Sequence, residues 1–317
     1  MTAVPDTLTT PVEDLLARAR AYVTHSHAKN TLAAYAADWK HFSTWCDDHK
    51  RRALPASPET ILCYIVDLAD RYTVATIDRR LSSIGYYHKQ ARHALPTKDP
   101  EVERTMRGIR RAKGIVPNGK TPILTPLLRK MVEALPDDLP GLRDKALLLI
   151  GFAGAFRRSE LVGLQVRDIR IGDAGLVVTL RRSKTDQEGA SFTKGLPAGA
   201  SETTCPKRAL EVWLTTAGIT AGPIFRPVDR WGHVDARALS GLGVARAVKR
   251  ALAAIELDTR DYSGHSLRAG LVTAAAMAGV SERVIMQQTG HKNVAMLRRY
   301  IREGSLFREN AAAVVGL

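Results

Sequence analysis

Up to about residue 112 the apolar side chains recur every third or fourth position, with no convincing period-two alternation anywhere in that stretch. That spacing commits the segment to helices packed face to face. Leu32, Tyr35, Trp39, Phe42 and Trp45 form one such stripe, with Thr31 or Asn30 placed to cap its start. Ser57-Pro58-Glu59 opens a second helix to residue 70, and residues 73–93 and 99–113 give a third and a fourth. The period stops at the Gly/Pro-rich stretch 114–122, GIVPNGKTP, which reads as a linker. Residues 11–113 are therefore expected to form an all-α domain.

Beyond residue 122 the pattern is mixed. Helical spacing marks 125–135, 140–155 and a short helix from Ser159, while β-branched alternation at 175–180 and near 191–196 predicts a small antiparallel sheet with a hairpin. Helices resume at 206–217, 240–256, 266–278, 281–288 and 293–302, with Gly279 and Gly290 as their stops. The expected fold is mainly α with a small antiparallel β-sheet, the second domain spanning 123–303 and a terminal amphipathic segment 304–317. A length of 317 residues agrees with two domains at about 150 residues each.

Composition narrows the function classes. The most apolar run, 146–156 (ALLLIGFAGAF), is too short to cross a bilayer and ends at Arg157 and Arg158, so it reads as a buried helix; nothing near the N-terminus resembles a secretion signal, and a cytoplasmic protein without membrane partners is expected. Cys46, Cys63 and Cys205 are widely spaced, which supports neither a metal site nor a disulfide framework, and no cofactor motif stands out. Lys and Arg number 47 against 32 Asp and Glu, a net +15 that favours a polyanionic partner such as nucleic acid.

Four short segments carry chemical potential. They are Gly154-Ala-Phe-Arg157-Arg158-Ser159-Glu160-Leu161, Arg182-Ser183-Lys184-Thr185, Gly264-His265-Ser266-Leu267-Arg268, and Gly290-His291 followed nine positions later by Tyr300. Each has an ordinary reading when taken singly. Arg157, Arg158 and Glu160 suit a surface ion-pair helix, His265 a core histidine, Tyr300 simple packing, and Lys194 competes with Lys184 because the turn of the hairpin is not fixed by spacing.

In order and spacing these segments, together with YAADWKHFSTWCDDHKRRALP, GHSLRAG, MAGVSERVIMQQTGHKNV and YIRE, resemble the tyrosine recombinase (phage integrase) family, and its simple Cre-type and Xer-type members most of all. The resemblance spans nearly the whole chain. It implies a site-specific recombinase that cuts and rejoins duplex DNA through a 3′-phosphotyrosine on Tyr300 and a Holliday junction, without metal or ATP. Lys184 matches the general acid of the family, and Glu160 its acidic supporting position, orienting Arg157 or a histidine. The resemblance further implies a C-shaped clamp of two domains, four protomers on two duplexes, and a C-terminal segment docked into a neighbour.

The residues make chemical sense beside it. Breaking a phosphodiester without metal needs a nucleophile, a proton for the leaving oxygen, and cations around a phosphorane carrying extra negative charge. Arg157 and Arg268 suit the last task, since a guanidinium stays charged and reaches two oxygens at once. His265 lies three residues before Arg268 and so on the same helix face; it can donate to phosphate or accept the tyrosine proton. His291 supplies a further N–H donor.

For DNA contacts the basic run ending in Arg110, Arg111, Lys113 and Lys120 suits a backbone crossing, and Arg246, Lys249 and Arg250 on the helix 240–255 suit a groove. The tail presents Leu306, Phe307, Ala311, Val314 and Val315, an apolar set that needs a host surface, on its own domain or a neighbour's. Two other functions fit parts of this pattern. A type IB topoisomerase shares the chemistry, and a non-catalytic DNA-binding protein the fold.

Overall fold

The computed structural model describes residues 12–16, 18, 29–114, 120–181, 192–291, 294, 297 and 298. The chain divides into two compact units, Met1–Pro117 and Asn118–Leu317.

Among its described residues, every regular element of the first unit is a helix. Helix α1 (Lys29–Asp48) buries Phe42, Trp45 and Cys46, while Trp39 packs from the edge. Helix α2 (Pro58–Arg71) begins where Ser57 Oγ accepts from Thr60 N and Pro58 takes a first-turn position, and it buries Ile61, Tyr64, Ile65 and Leu68. Thr73 caps helix α3 (Val74–Gln90), and Asp99 caps helix α4 (Pro100–Lys113), which ends at Gly114 with φ 71°. The buried carboxylate of Asp38 on α1 is answered by a two-pronged bond from Arg79 of α3.

The second unit is built around one helix with hardly a polar face. After α5 (Thr125–Glu133), helix α6 (Leu139–Ala153) starts at Asp138, which accepts from Gly141 N, and buries the residues from Ala146 to Phe152. This accounts for the apolar run read from sequence as a buried helix. Short α7 (Arg158–Gly163) leads to an antiparallel sheet of order β1-β2-β3: Ile169–Gly172, Gly175–Leu180 and Phe192–Pro197. In register, Leu176 faces Leu196 and Leu180 faces Phe192. Strand β1 is absent from the sequence reading, because Ile169-Arg170-Ile171-Gly172 offers only two apolar residues in alternation.

Helices α8 (Pro206–Thr216), α9 (Gly241–Ala253), α10 (Gly264–Met277) and α11 (Glu282–Thr289) complete the unit. Together these elements make the mainly α fold with a small antiparallel sheet that was expected. Of the expected helix 293–302, residues 294, 297 and 298 are described and helical, with Leu297 fully buried.

Candidate active site

The site begins at the exit of α6. The last carbonyls of a helix lack intrahelical donors and need other partners. Here three consecutive carbonyls at and just beyond the end of α6 find them in three different elements: Ala153 O accepts from Gln288 Nε2 of α11 at 2.8 Å, Gly154 O from Lys194 Nζ of β3 at 2.6 Å, and Ala155 O from Arg268 Nη1 of α10 at 2.7 Å. Ala155 sits at φ 46°, a left-handed conformation that a side chain seldom adopts and that the surrounding bonds hold in place. Two residues later the chain delivers Arg157.

Arg157 stands at the N-terminus of α7. Its backbone N donates to Glu160 Oε2 at 2.9 Å and its Nη1 donates to Glu160 Oε1 at 2.6 Å, so one buried carboxylate holds both main chain and side chain. Arg268 is buried on α10, whose start is capped by Ser263. The sequence-predicted arginines are thus brought to the same turn, one carried by it and the other bonded to it. His265 lies one turn before Arg268. Although much of its surface faces solvent, crowding by neighbouring atoms and the positive field of Arg268, Arg158 and Arg157 hold its pKa below the ordinary value.

His291 follows Gly290, whose φ of 67° turns the chain sharply out of α11. Its half-buried ring is within 2.8 Å of Thr289 Oγ1 through Nδ1. Burial, followed by Arg268, Arg157, His265 and Lys194, lowers its pKa to about 4, so the ring is neutral at ordinary pH.

Lys194, Gln288 and Thr289 are support residues missed by the sequence reading. Lys194 entered it only as a rival to Lys184. Its signal was its register: it shares the inward face of β3 with Leu196, a place where a lysine must find polar partners. The residue is 3% exposed, and its ammonium lies 4.6 Å from the Phe156 ring centre and has its pKa lowered to about 7, chiefly by burial. Gln288 and Thr289 carried no such signal, being ordinary residues of an amphipathic helix.

Lys184, Tyr300 and the tail residues Leu306, Phe307, Ala311, Val314 and Val315 lie outside the described residues. Of the basic residues read as DNA contacts, Arg110 is half-buried, and Arg111, Lys113, Lys120, Arg246, Lys249 and Arg250 are exposed. Arg110 pairs with Asp78 at 2.6 Å, Lys113 donates to the carbonyls of Ala69 and Tyr72, and Lys120 donates to Arg260 O at 2.8 Å. Arg250 is bound through Nε and Nη2 to the buried carboxylate of Asp144 on α6, which distinguishes it from its helix neighbours Arg246 and Lys249.

Comparison with known proteins adds to this geometry. Residues 127–305 match the phage integrase family, and residues 21–94 match the phage integrase N-terminal SAM-like domain. An integrase/recombinase XerD homolog of Selenomonas ruminantium is 43% identical over 94% of this chain and 89% of its own length. The recombinase Cre of Escherichia phage P1 is 28% identical over 87% of this chain and 84% of its own, so the likeness to the Cre type is the weaker of the two. In fold, the chain is similar to the Tn1549 transposon integrase in complex with transposon right end DNA, with TM-score 0.61 and 12% identity over 93% of this chain and 95% of that one. It is also similar to a lambda integrase dimer bound to a COC′ core site, with TM-score 0.58 and 18% identity over 92% and 95%.

Proposed function

The chain belongs to the phage integrase family and is a tyrosine-type site-specific recombinase, and from the residues gathered around the exit of α6 we propose how it breaks and rejoins DNA. The observation that carries the proposal is the shared anchorage of the two arginines: Glu160 holds Arg157, and Arg268 bonds the turn that delivers it. Two guanidiniums held in place by their own protein need no reorganisation when charge develops on a phosphorane.

In this mechanism Arg157 and Arg268 bind the non-bridging oxygens of the scissile phosphate. The Tyr300 oxygen attacks phosphorus as its proton passes to His265, whose lowered pKa favours the neutral, proton-accepting ring. The bond from phosphorus to the 5′ oxygen breaks, Lys184 protonates that oxygen, and the DNA 3′ end remains on Tyr300. His291 stabilises the phosphate, and Glu160 acts through Arg157. Attack by the 5′ hydroxyl of another strand reverses the steps, so the phosphodiester energy is conserved and ATP is not required. The cationic residues supply the charge stabilisation, without a metal.

The partner is duplex DNA, in keeping with the net charge of +15 and with the DNA-bound integrases of similar fold. Arg110, Arg111, Lys113 and Lys120 would meet the backbone, the two units closing on the duplex as a C-shaped clamp with 114–122 as linker. Four protomers would pair two duplexes and pass through a Holliday junction, the segment 304–317 of each docking on the next. In support of that docking, the second unit carries a cleft of about 680 Å³ lined by Leu128, Phe152, Leu271, Ala275, Val284 and Ile285. Among the described residues no helix is long and apolar enough to cross a membrane, and a DNA substrate puts the protein in the cytoplasm or nucleoid.

A half-site nicked next to the cleavage position tests the proposal, since loss of the short fragment traps the covalent intermediate. The expected result is an SDS-resistant protein–DNA adduct that Tyr300→Phe abolishes, with deletion or inversion of a two-site plasmid. An adduct accompanied only by topoisomers would point to a topoisomerase, and no adduct at all to a DNA-binding protein that does not cleave.

A further inference from the structure

Thr289 is the last residue of α11 and is 1% exposed. Its Oγ1 lies 2.7 Å from Ile285 O, one turn back in the helix, and 2.8 Å from His291 Nδ1; Met286 O, at 3.5 Å, is too distant to compete. The left-handed Gly290 between the two residues returns the imidazole to the threonine.

A hydroxyl has one proton to give. The carbonyl of Ile285 can only accept, so the proton goes there, and what Oγ1 offers His291 is a lone pair. The ring must then carry its proton on Nδ1. Nε2 becomes the nitrogen left for other groups, and in the neutral ring it is an acceptor. Among the described residues, the groups whose charge acts on His291 are Arg268, Arg157, His265 and Lys194, a positive field that suits a lone pair and opposes a second proton.

We propose that Thr289 is a positioning residue for strand cleavage: by taking the Nδ1 proton of His291 in a hydrogen bond it fixes the tautomer of the ring, so that Nε2 becomes a donor only when a phosphate has arrived. The proposal rests on His291 being the phosphate-stabilising residue described above. A bound phosphate offsets the arginine field, and Nε2 then takes a proton from solvent while Nδ1–H stays on Thr289. The resulting imidazolium gives a charge-assisted hydrogen bond, stronger than a neutral ring would give. The donor is thus armed by substrate. The chain must also take up a proton as it binds its site.

Nitrogen-15 NMR of histidine-labelled protein without DNA reads the tautomer directly. Nδ1–H is expected for His291 in the wild-type chain and in Thr289→Ser, with Nε2–H gaining population in Thr289→Val. On the nicked half-site, Thr289→Val should slow formation of the covalent adduct by about tenfold while affinity stays near wild type, and Thr289→Ser should restore the rate. Wild-type protein with Nε2–H at His291 would overturn the proposal, as would a folded Thr289→Val that cleaves at the wild-type rate. The wild-type tautomer decides the matter even if the valine variant fails to fold. His291→Ala separates the two levels: wild-type cleavage by that variant defeats the role given to His291. Slow cleavage by His291→Ala beside normal cleavage by Thr289→Val defeats only the role given to Thr289.

Discussion

A lysine on the inward face of a strand is costly unless something nearby needs a donor, and at position 194 the need comes from Gly154 O at the exit of α6. Burial lowers the Lys194 pKa from 10.5 to about 7, and the unfolded chain keeps the ordinary value. Between those limits the unfolded state binds the extra proton, so folding stability contributed by this group rises with pH from about 7 to about 10.5; below 7 both states are charged and the burial cost is fully present. Chemical denaturation of the wild type and of Lys194→Met across this range should therefore show wild-type stability gaining on the variant by at most about 1.4 kcal/mol per pH unit. The comparison cancels Cys46 and Tyr64, whose raised pKa values act in the opposite sense at high pH. Parallel curves would show that Lys194 does not titrate in this window.

Helix α9 shows how an element divides its charges. Val244, Ala247, Val248, Ala251 and Leu252 face the core, which leaves Arg246 and Lys249 exposed, while Arg250 reaches Asp144 of α6. Sequence alone makes the three cations equivalent, and their partners make them different. Arg250→Ala leaves the buried Asp144 with Arg143 as its remaining ion pair and should destabilise the fold by about 1–3 kcal/mol, seen in thermal or denaturant unfolding. Arg246→Ala and Lys249→Ala should leave unfolding nearly unchanged and weaken DNA binding instead. A loss of about 1–3 kcal/mol confined to one position of a randomised site would mark a base contact, and a uniform loss a phosphate contact. If Arg250→Ala unfolds like the wild type, the ion pair does not support the fold.

At the scale of the whole molecule, each unit has its own apolar core, one around Phe42, Tyr64 and Leu68, the other around α6 and the sheet. Under the proposed docking of 304–317 on a neighbour, deletion of residues 305–317 should leave half-site binding intact and abolish synapsis and recombination, measured by gel shift on one site and on a pair. Full recombination by the truncated chain would refute docking between protomers.

The sequence by itself determined the helical character of the first unit, the buried nature of the run 146–156, and the i, i+3 placement of His265 and Arg268 at the start of α10. These are properties of neighbours along the chain, where apolar period, caps and turn residues act over one or two turns. Strand β1 escaped because four residues carry too little period. The support of the site escaped for a different reason. Lys194, Arg268 and Gln288 meet the carbonyls of residues 154, 155 and 153 across 40, 113 and 135 positions of sequence, and the local pattern around each donor is the same whether or not its acceptor is there. Only the packing of β3, α10 and α11 against the end of α6 decides which carbonyl a buried donor satisfies, because a hydrogen bond is set by angstroms in space and not by distance along the chain.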